Sequence, residues 1–348
     1  MNFQKLQTLG WSNFFLQQLD FNLLNDPDIQ LFRISVIHRD VIKALGEEGE
    51  KTLMCPVEFR PVSQFLAVGD WVVTRQTNEH CVIETILEAN NRIERLSNQQ
   101  RQLICANLDY LFIVTSANDE FNLNRLERYL ALAFEFDVCP VIVLTKVDEC
   151  DDLYFFIDKI NTLKIDYVFA INAFDEQTLK PLNEFLLPTN TLAFVGSSGV
   201  GKSTLVNHLF TDDAIKYMKT SQIREDDAKG KHTTTHRELL INNKGVILID
   251  TPGMRELKLL NAEQGLQHTF SDIVSLTQRC KFNNCQHQNE KGCAVQFALE
   301  SGELGEAHYH NYLKLQKEDA FQKRQALGAY AEKKHQRELH MMYKEHKK

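Results

Sequence analysis

The sequence predicts a multi-domain protein: a small N-terminal β-barrel, a central α/β domain on a mostly parallel sheet, and a mostly helical C-terminal domain. Three observations carry this reading. Between about Leu31 and Glu94, short alternating apolar and polar stretches are separated by turn residues, the pattern of a small all-β unit. After Asn107, apolar strand-like runs alternate with segments of helical periodicity, which predicts parallel strands covered by helices. From about Asn261 the pattern is helical apart from one cysteine-rich stretch. A chain of 348 residues is also long for a single core.

Composition narrows the class. Hydrophobic residues make up 43% and charged residues 25%, ordinary for a soluble globular chain. No apolar run approaches the ~18 residues that would cross a bilayer, and Met1-Asn-Phe-Gln-Lys-Leu6 lacks the basic and apolar segments of a secretory leader. Eight cysteines are scattered without a small-domain disulfide framework, which favours a reducing, cytoplasmic setting. The net charge of −8 argues against a polyanionic partner for the chain as a whole. Its last segment, Lys317 to Lys348, carries nine Lys or Arg against five Asp or Glu. Such a basic tail suits either a nucleic-acid contact or a solvated helix.

The elements follow in order. Residues 1–29 place Trp11, Phe14, Phe15 and Leu19 at helix-like spacing before the break at Asn25-Asp-Pro27, and are expected to form a helical extension. Residues 30–99 hold the barrel, with strands expected at Phe32–Ile37, Val57–Phe59, Asp70–Thr74 and Cys81–Ile86. Residues 100–260 form the α/β domain. Its strands are expected at Tyr110–Thr115, Pro140–Thr145, Asp166–Ala170, Thr191–Val195, Glu238–Asn242 and Gly245–Asp250, with helices at Leu123–Phe136, Asp152–Leu163 and up to Leu187. Residues 261–348 form the helical domain and its tail.

Behind the strand Thr191–Val195 stand Gly196, Ser197, Ser198, Gly199, Val200, Gly201, Lys202 and Ser203, followed by Thr204. They match G-x-x-x-x-G-K-[ST], in which glycines let the backbone aim N–H groups at phosphate oxygens. The lysine reaches the outer phosphates and the hydroxyl serves Mg²⁺. Asp250 and Gly253 end another strand as D-x-x-G, where such a site places the aspartate that holds magnesium. Thr145, Lys146, Val147 and Asp148 follow a further strand as T-K-x-D. A carboxylate there accepts two hydrogen bonds from guanine that adenine cannot offer, although an ordinary strand-to-helix turn also accommodates Asp148. Asn172 and Ala173 lie where backbone N–H groups support the base.

Between phosphate loop and D-x-x-G lies Gly230-Lys-His-Thr-Thr-Thr235. Thr234 is favoured as the switch residue for Mg²⁺ and the γ-phosphate, with Thr233 and Thr235 as alternatives. Met254 occupies the position where Ras-like sites carry a water-positioning glutamine. A thioether cannot do that, so unassisted hydrolysis is expected to be slow, with His232 as the residue that orients the water or as an exposed loop histidine. The motifs run in a circularly permuted order, base motif before phosphate loop. Cys280, Cys285, His287 and Cys293 are spaced as C-x4-C-x-H-x5-C, a closed Cys3His set suited to one structural zinc.

Together these residues resemble the circularly permuted GTPases of the RsgA family, which depend on the small ribosomal subunit. The resemblance spans about residues 30 to 320 through the TKVD, GSSGVGKS, GKHTTT and DTPG segments and the cysteine cluster, and it implies that the N-terminal β-barrel is an OB-type β-barrel. Thr145 stands in place of the commoner asparagine, and Asn172-Ala173 in place of Ser-Ala. The resemblance implies GTP/GDP with Mg²⁺ as ligands, and binding to the small ribosomal subunit and its rRNA late in subunit assembly. It also implies GTP hydrolysis when docked and release afterwards. A monomer without a membrane partner is expected. Two other readings stay open from the residues: a P-loop ATPase or kinase, and a nucleotide-gated RNA-binding scaffold whose hydrolysis is incidental.

Overall fold

The computed structural model describes residues 1–38, 41–77, 80–97, 100–210, 237–250, 259, 262–288 and 290–345. They divide into two compact units. The first comprises Met1–Glu94, Leu103–Tyr129 and Phe136–Leu257, and the second Arg95–Gln102, Leu130–Glu135 and Lys258–Lys348.

The chain enters through short helices α1 (Phe3–Gln7), α2 (Asn13–Leu16) and α3 (Phe21–Asn25). Asn2 and Asp20 cap the first and third by accepting the N–H of the third helical residue, at 3.4 and 2.8 Å. Strands β1 (Ile29–His38), β2 (Val41–Gly46) and β3 (Gly49–Met54) form a meander. After α4 (Val62–Phe65) come β4 (Trp71–Thr77), β5 (His80–Ile86), β6 (Arg92–Ser97) and β7 (Gln100–Ala106). β1 pairs with β2, β2 with β3, β3 in parallel with β5, β5 with β4, and β4 again with β1. The pairings therefore close into a ring.

Trp11 and Phe15 cover the outer face of this ring at β1 and β4, opposite the face that buries Phe32, Ile34 and Val72. The Trp11 and Trp71 rings meet edge to face with centroids 4.8 Å apart, and Ile29, Leu31, Val73 and Leu87 complete the cluster. Both indole N–H groups are buried without a hydrogen-bond partner among the described residues, and the ring contacts hold the two side chains. The expected helical spacing in residues 1–29 thus corresponds to three short turns docked onto strands.

Val57–Phe59, expected as a strand, is a turn of 3-10 helix. Pro56 and Pro61 flank it, and neither can donate an N–H to a ladder. The helix expected to run to Leu187 is α7 (Glu176–Leu179) and a 3-10 turn over Lys180–Glu184, which starts beside Pro181. The β6–β7 pair, a sheet by itself, was not among the expected strands.

The α/β part contains β8 (Tyr110–Ser116), α5 (Leu123–Glu135), β9 (Cys139–Thr145), α6 (Leu153–Asn161) and β10 (Val168–Ala170). After α7 come β11 (Thr191–Val195), α8 (Lys202–Leu209), β12 (Arg237–Ile241) and β13 (Ile247–Asp250). The sheet order is β10-β9-β8-β11-β13-β12, and β12 continues antiparallel onto β1 through Val36–Glu238 and Ile37–Arg237. β8, β9, β10, β11 and β13 run parallel. The near-continuous apolar runs of β8, β9, β11 and β13 are buried on both faces, as parallel strands require, whereas β10 at the end of the sheet is half-buried. Phe112, Val114, Val141, Val143, Leu192 and Leu248 form the core with Leu205 and Val206 of α8.

Arg33 of β1 is the largest charged side chain in this interior, at 2% exposure. It donates to the carbonyls of Leu9 at 2.6 Å, Gly69 at 3.3 Å and Asn107 at 3.2 Å, and to the Thr191 hydroxyl at 3.0 Å. Burial pulls its pKa down to about 10, opposed by the charges of Asp109 and Asp70. Arg33→Met would leave four acceptors, three of them buried, without this donor, and is expected to destabilise the chain by about 3–5 kcal/mol. The midpoint of urea unfolding measures this, and an unchanged midpoint would refute the role.

The second unit contains α9 (Glu263–Thr269), α10 (Ser271–Gln278), α11 (Ala294–Ser301) and α12 (Glu306–Glu345). Phe270, fully buried, stacks at 4.9 Å from His308 and 5.2 Å from Tyr312 of α12. α9 passes so close to Leu130–Glu135 that a Cβ on Gly265 would stand 1.9 Å from the Ala131 carbonyl oxygen. The Gly265 N–H is met there by the Glu135 carboxylate at 2.9 Å. No helix among the described residues is long and apolar enough to cross a membrane.

Candidate nucleotide site and metal centre

Because β8, β9, β10, β11 and β13 are parallel, their C-terminal ends share one edge of the sheet, where α/β folds bind ligands. Ser116 ends β8 opposite Thr145 of β9, and Leu144 lies opposite Ala170 of β10. Val195 of β11 lies opposite Ile113, and β13 ends in Asp250. The residues expected to bind phosphate, base and magnesium therefore emerge along one rim, despite sequence separations of up to about a hundred residues.

The phosphate loop is shaped by its glycines. Gly196 adopts φ +144°, and a Cβ there would lie 2.2 Å from the Val114 carbonyl oxygen, so only glycine lets the loop pass β8. Gly201, at φ +88°, precedes α8 and offers no side-chain cap to the helix. The first N–H groups of α8 thus point out uncapped, an arrangement that favours an anion. The Lys202 ammonium donates to the Gly196 carbonyl at 2.9 Å and to that of Ser197. Ser203 and Thr204 lie half-buried in the first turn, whereas Ser198 and Gly199 are exposed at the loop tip.

The T-K-x-D segment divides its work. Thr145 is buried, at 1% exposure, and its hydroxyl donates to the Val200 carbonyl at 2.7 Å. It ties the strand end to the phosphate loop and does not reach outward. Lys146 takes a left-handed conformation, φ +59°, which starts the 3-10 turn Val147–Glu149 and leaves the Asp148 carboxylate exposed. The Asn172 N–H is donated to the Thr178 hydroxyl at 3.1 Å, and its side-chain carbonyl accepts the Phe174 N–H at 2.9 Å. This folds Asn172 and the buried Ala173 into a tight turn beyond β10. Asp250 is half-buried, opposite Glu238 in the β12–β13 ladder. His232, Thr233, Thr234, Thr235, Gly253 and Met254 lie outside the described residues.

One further side chain meets the loop. Arg125, in the first turn of α5, donates through Nη1 to the Ser197 hydroxyl. Neither Arg125 nor the tie from Thr145 to Val200 stands out in the sequence. The partners are 72 and 55 residues apart, and strand order, absent from the motifs, brings them together.

In the second unit, the ligand atoms of Cys280, Cys285, His287 and Cys293 all lie within 4.8 Å of one another. Cys280 Sγ and Cys293 Sγ are 4.0 Å apart, and each stands 3.5 Å from His287 Nδ1. A tetrahedron around zinc, with Zn–S near 2.3 Å and Zn–N near 2.0 Å, has edges of about 3.5–3.8 Å. The donor set therefore fits such an ion in both chemistry and spacing.

The supporting contacts are local. Gln296 Nε2 donates to the His287 carbonyl at 2.8 Å, holding the left-handed turn at φ +58°. The Glu290 carboxylate accepts the N–H groups of Gln286 and Gln288 at 2.7 and 2.8 Å, and Cys293 caps α11 by accepting the Gln296 N–H. Burial and the neighbouring Cys293 and Cys280 thiols push the Cys285 pKa up to about 11, against a hydrogen bond from the His287 backbone. At Cys280, burial also opposes ionisation. Hydrogen bonds from the Ala294 and Val295 backbone and from the Cys285 and Cys293 thiols outweigh it and lower the pKa. Packed thiols of this kind resist joint ionisation, and a dication among them reverses that preference.

Comparison with known proteins agrees with this architecture. The RsgA GTPase family model matches residues 86–260. A Vibrio parahaemolyticus protein named small ribosomal subunit biogenesis GTPase RsgA 2 is 42% identical over 320 residues, covering 91% of this chain and 86% of that relative. The Listeria innocua small ribosomal subunit biogenesis GTPase RsgA 1 is 41% identical, covering 88% of each. Among solved structures, YjeQ from Thermotoga maritima matches at 24% identity with a TM-score of 0.60, over 82% of this chain and 97% of that one. YloQ, titled a circularly permuted GTPase, matches at 24% identity and a TM-score of 0.58, over 86% and 98%. With the phosphate loop, the T-K-x-D turn and Asp250 along one sheet edge in permuted order, the chain belongs to the RsgA GTPase family.

Proposed function

We propose that this protein is a cytoplasmic GTPase of small-ribosomal-subunit maturation, which docks on the subunit and its rRNA as a monomer, hydrolyses GTP there and is then released. The observation that carries it is the convergence of base motif, phosphate loop and Asp250 at one rim, in a chain whose close relatives are named for that process. Asp148 selects guanine by accepting from the base. Lys146 and the Asn172-Ala173 turn support the base, and Thr145 couples base turn to phosphate loop through Val200. Gly196 to Gly201 and the start of α8 receive phosphate oxygens. Lys202 supplies the compensating charge. Ser203 and Asp250, together with Thr234, are the residues that would hold Mg²⁺, which when bound neutralises charge on the outer phosphates.

Met254 replaces the usual water-positioning side chain, so the hydrolytic step waits for a further group. His232 in the switch is that group in this reading, aligned only when the subunit is docked. We assign residues 30–99 as an OB-type barrel, a form suited to RNA, because its strand pairings return to β1. Residues 1–29 form an extension to it, residues 100–260 the permuted GTPase domain, and residues 261–348 the zinc-braced domain with its basic tail.

The test is GTP turnover by the full chain with and without small ribosomal subunits. Stimulation of at least about tenfold, equivalent to ~1.4 kcal/mol of barrier, is expected with small but not large subunits. Equal turnover with and without the particle would rule the docking model out and favour a scaffold with incidental hydrolysis.

A further inference from the structure

Arg125 enters the nucleotide site from a direction that no motif marks. β8 lies directly beside the phosphate-loop strand β11, and the chain that leaves β8 turns before starting α5 on the same rim. Asn122 Oδ1 accepts the Arg125 backbone N–H at 3.0 Å, which fixes the first turn of that helix. From there the guanidinium reaches the Ser197 hydroxyl. Lys202 ends on the same residue, since its ammonium donates to the Gly196 and Ser197 carbonyls. Two cations from different elements thus converge on Ser197.

Like charges drawn onto one loop repel, more strongly as water is excluded, and an anion placed between them reverses the sign of that energy. The lysine of such a loop serves the β- and γ-phosphates, so the end of its side chain marks where the outer phosphates lie. Arg125 ends on the same residue of the loop, Ser197, at its hydroxyl. A planar guanidinium with paired donors suits phosphate oxygens better than it suits a single hydroxyl.

We propose that Arg125 is a second phosphate-binding cation of this site, which donates to the outer phosphates of bound GTP and makes affinity depend on phosphate number. The proposal rests on the GTPase reading above and deepens it. Ser197, itself part of the loop, then holds the guanidinium beside it. The contact is one of binding and charge compensation, as with an arginine supplied within the same chain in other phosphoryl-transfer sites.

Dissociation constants of a non-hydrolysable GTP analogue, GDP and GMP test it on the full chain and on Arg125→Ala and Arg125→Lys. Loss of a charge-assisted phosphate contact predicts that Arg125→Ala weakens the GTP analogue about 10–100-fold. GDP should weaken less and GMP stay within about twofold, while Arg125→Lys recovers part of the loss. An equal loss for all three nucleotides, or no loss at all, would overturn the proposal. If the unsubstituted chain binds none of the three, the GTPase reading itself fails. Normal binding with an unaffected Arg125→Ala rejects only the role of Arg125.

Discussion

Asp148→Asn should move the base preference of this protein from guanine to xanthine nucleotides. The Asp148 carboxylate stands exposed on the turn Val147–Glu149, its direction set by the left-handed Lys146 and by the bond from the Glu149 N–H to the Lys146 carbonyl at 3.2 Å. A carboxylate accepts from both N1–H and the exocyclic amine of guanine. An asparagine amide offers one acceptor and one donor, which matches the 2-oxo group of xanthine. Each hydrogen bond to a charged group contributes about 1.5–3 kcal/mol, so losing two predicts roughly a 10²–10⁴-fold loss of GDP affinity and a gain for XDP. Titration of both diphosphates against the substituted chain measures it. An unchanged preference would show that the base is read elsewhere, and would reopen the ATPase reading. Thr145, buried against Val200, is not expected to alter this discrimination when changed to serine.

The second large effect lies at the cysteine cluster. Cys285→Ser, or chelation of the unsubstituted chain, is expected to remove one equivalent of zinc and unfold the segment Arg279 to Ser301. Structural zinc contributes about 10–16 kcal/mol to small metal-folded units, comparable to the whole stability of an ordinary domain. Little else holds this segment: Lys281, Phe282, Asn283 and Asn284 are exposed, and Cys293, Val295 and Ala298 supply its buried contacts. Cys293→Ser separates two roles of one residue. Serine can still cap α11 where the Cys293 sulfur accepts the Gln296 N–H, so metal loss with residual helicity is expected. Metal analysis with circular dichroism reads both, and freshly purified chain with no bound zinc would refute the assignment.

Much of the nucleotide rim was legible in the sequence because its chemistry is local. A phosphate loop needs its glycines, lysine and hydroxyl within eight consecutive residues, and a guanine-reading carboxylate needs only a short turn after a strand. The same is true of the C-x4-C-x-H-x5-C spacing, whose four donor atoms do converge. The order of the motifs, and hence the permutation, is likewise a property of the chain alone. One difference was local, and the others depended on partners far away. Val57–Phe59 alternates like a strand, yet the prolines on either side deny it a ladder. The β6–β7 pair was missed, and residues 1–29 had no assigned role until Trp11 and Phe15 were found against Trp71.

By itself, then, the sequence determined the chemical inventory of this protein, its permuted order, and the alternation that builds a parallel sheet. Tertiary structure alone decided that β3 pairs in parallel with β5 so that the strands close on β1. It also decided that Arg33 is buried among Leu9, Gly69, Asn107 and Thr191, and that Thr145 and Arg125 grip the phosphate loop. The physical reason is the range of the interactions. Motif chemistry is encoded by neighbours along the chain, whereas strand pairing and buried charge are chosen by residues tens to hundreds of positions apart, whose meeting depends on the free energy of the whole sheet.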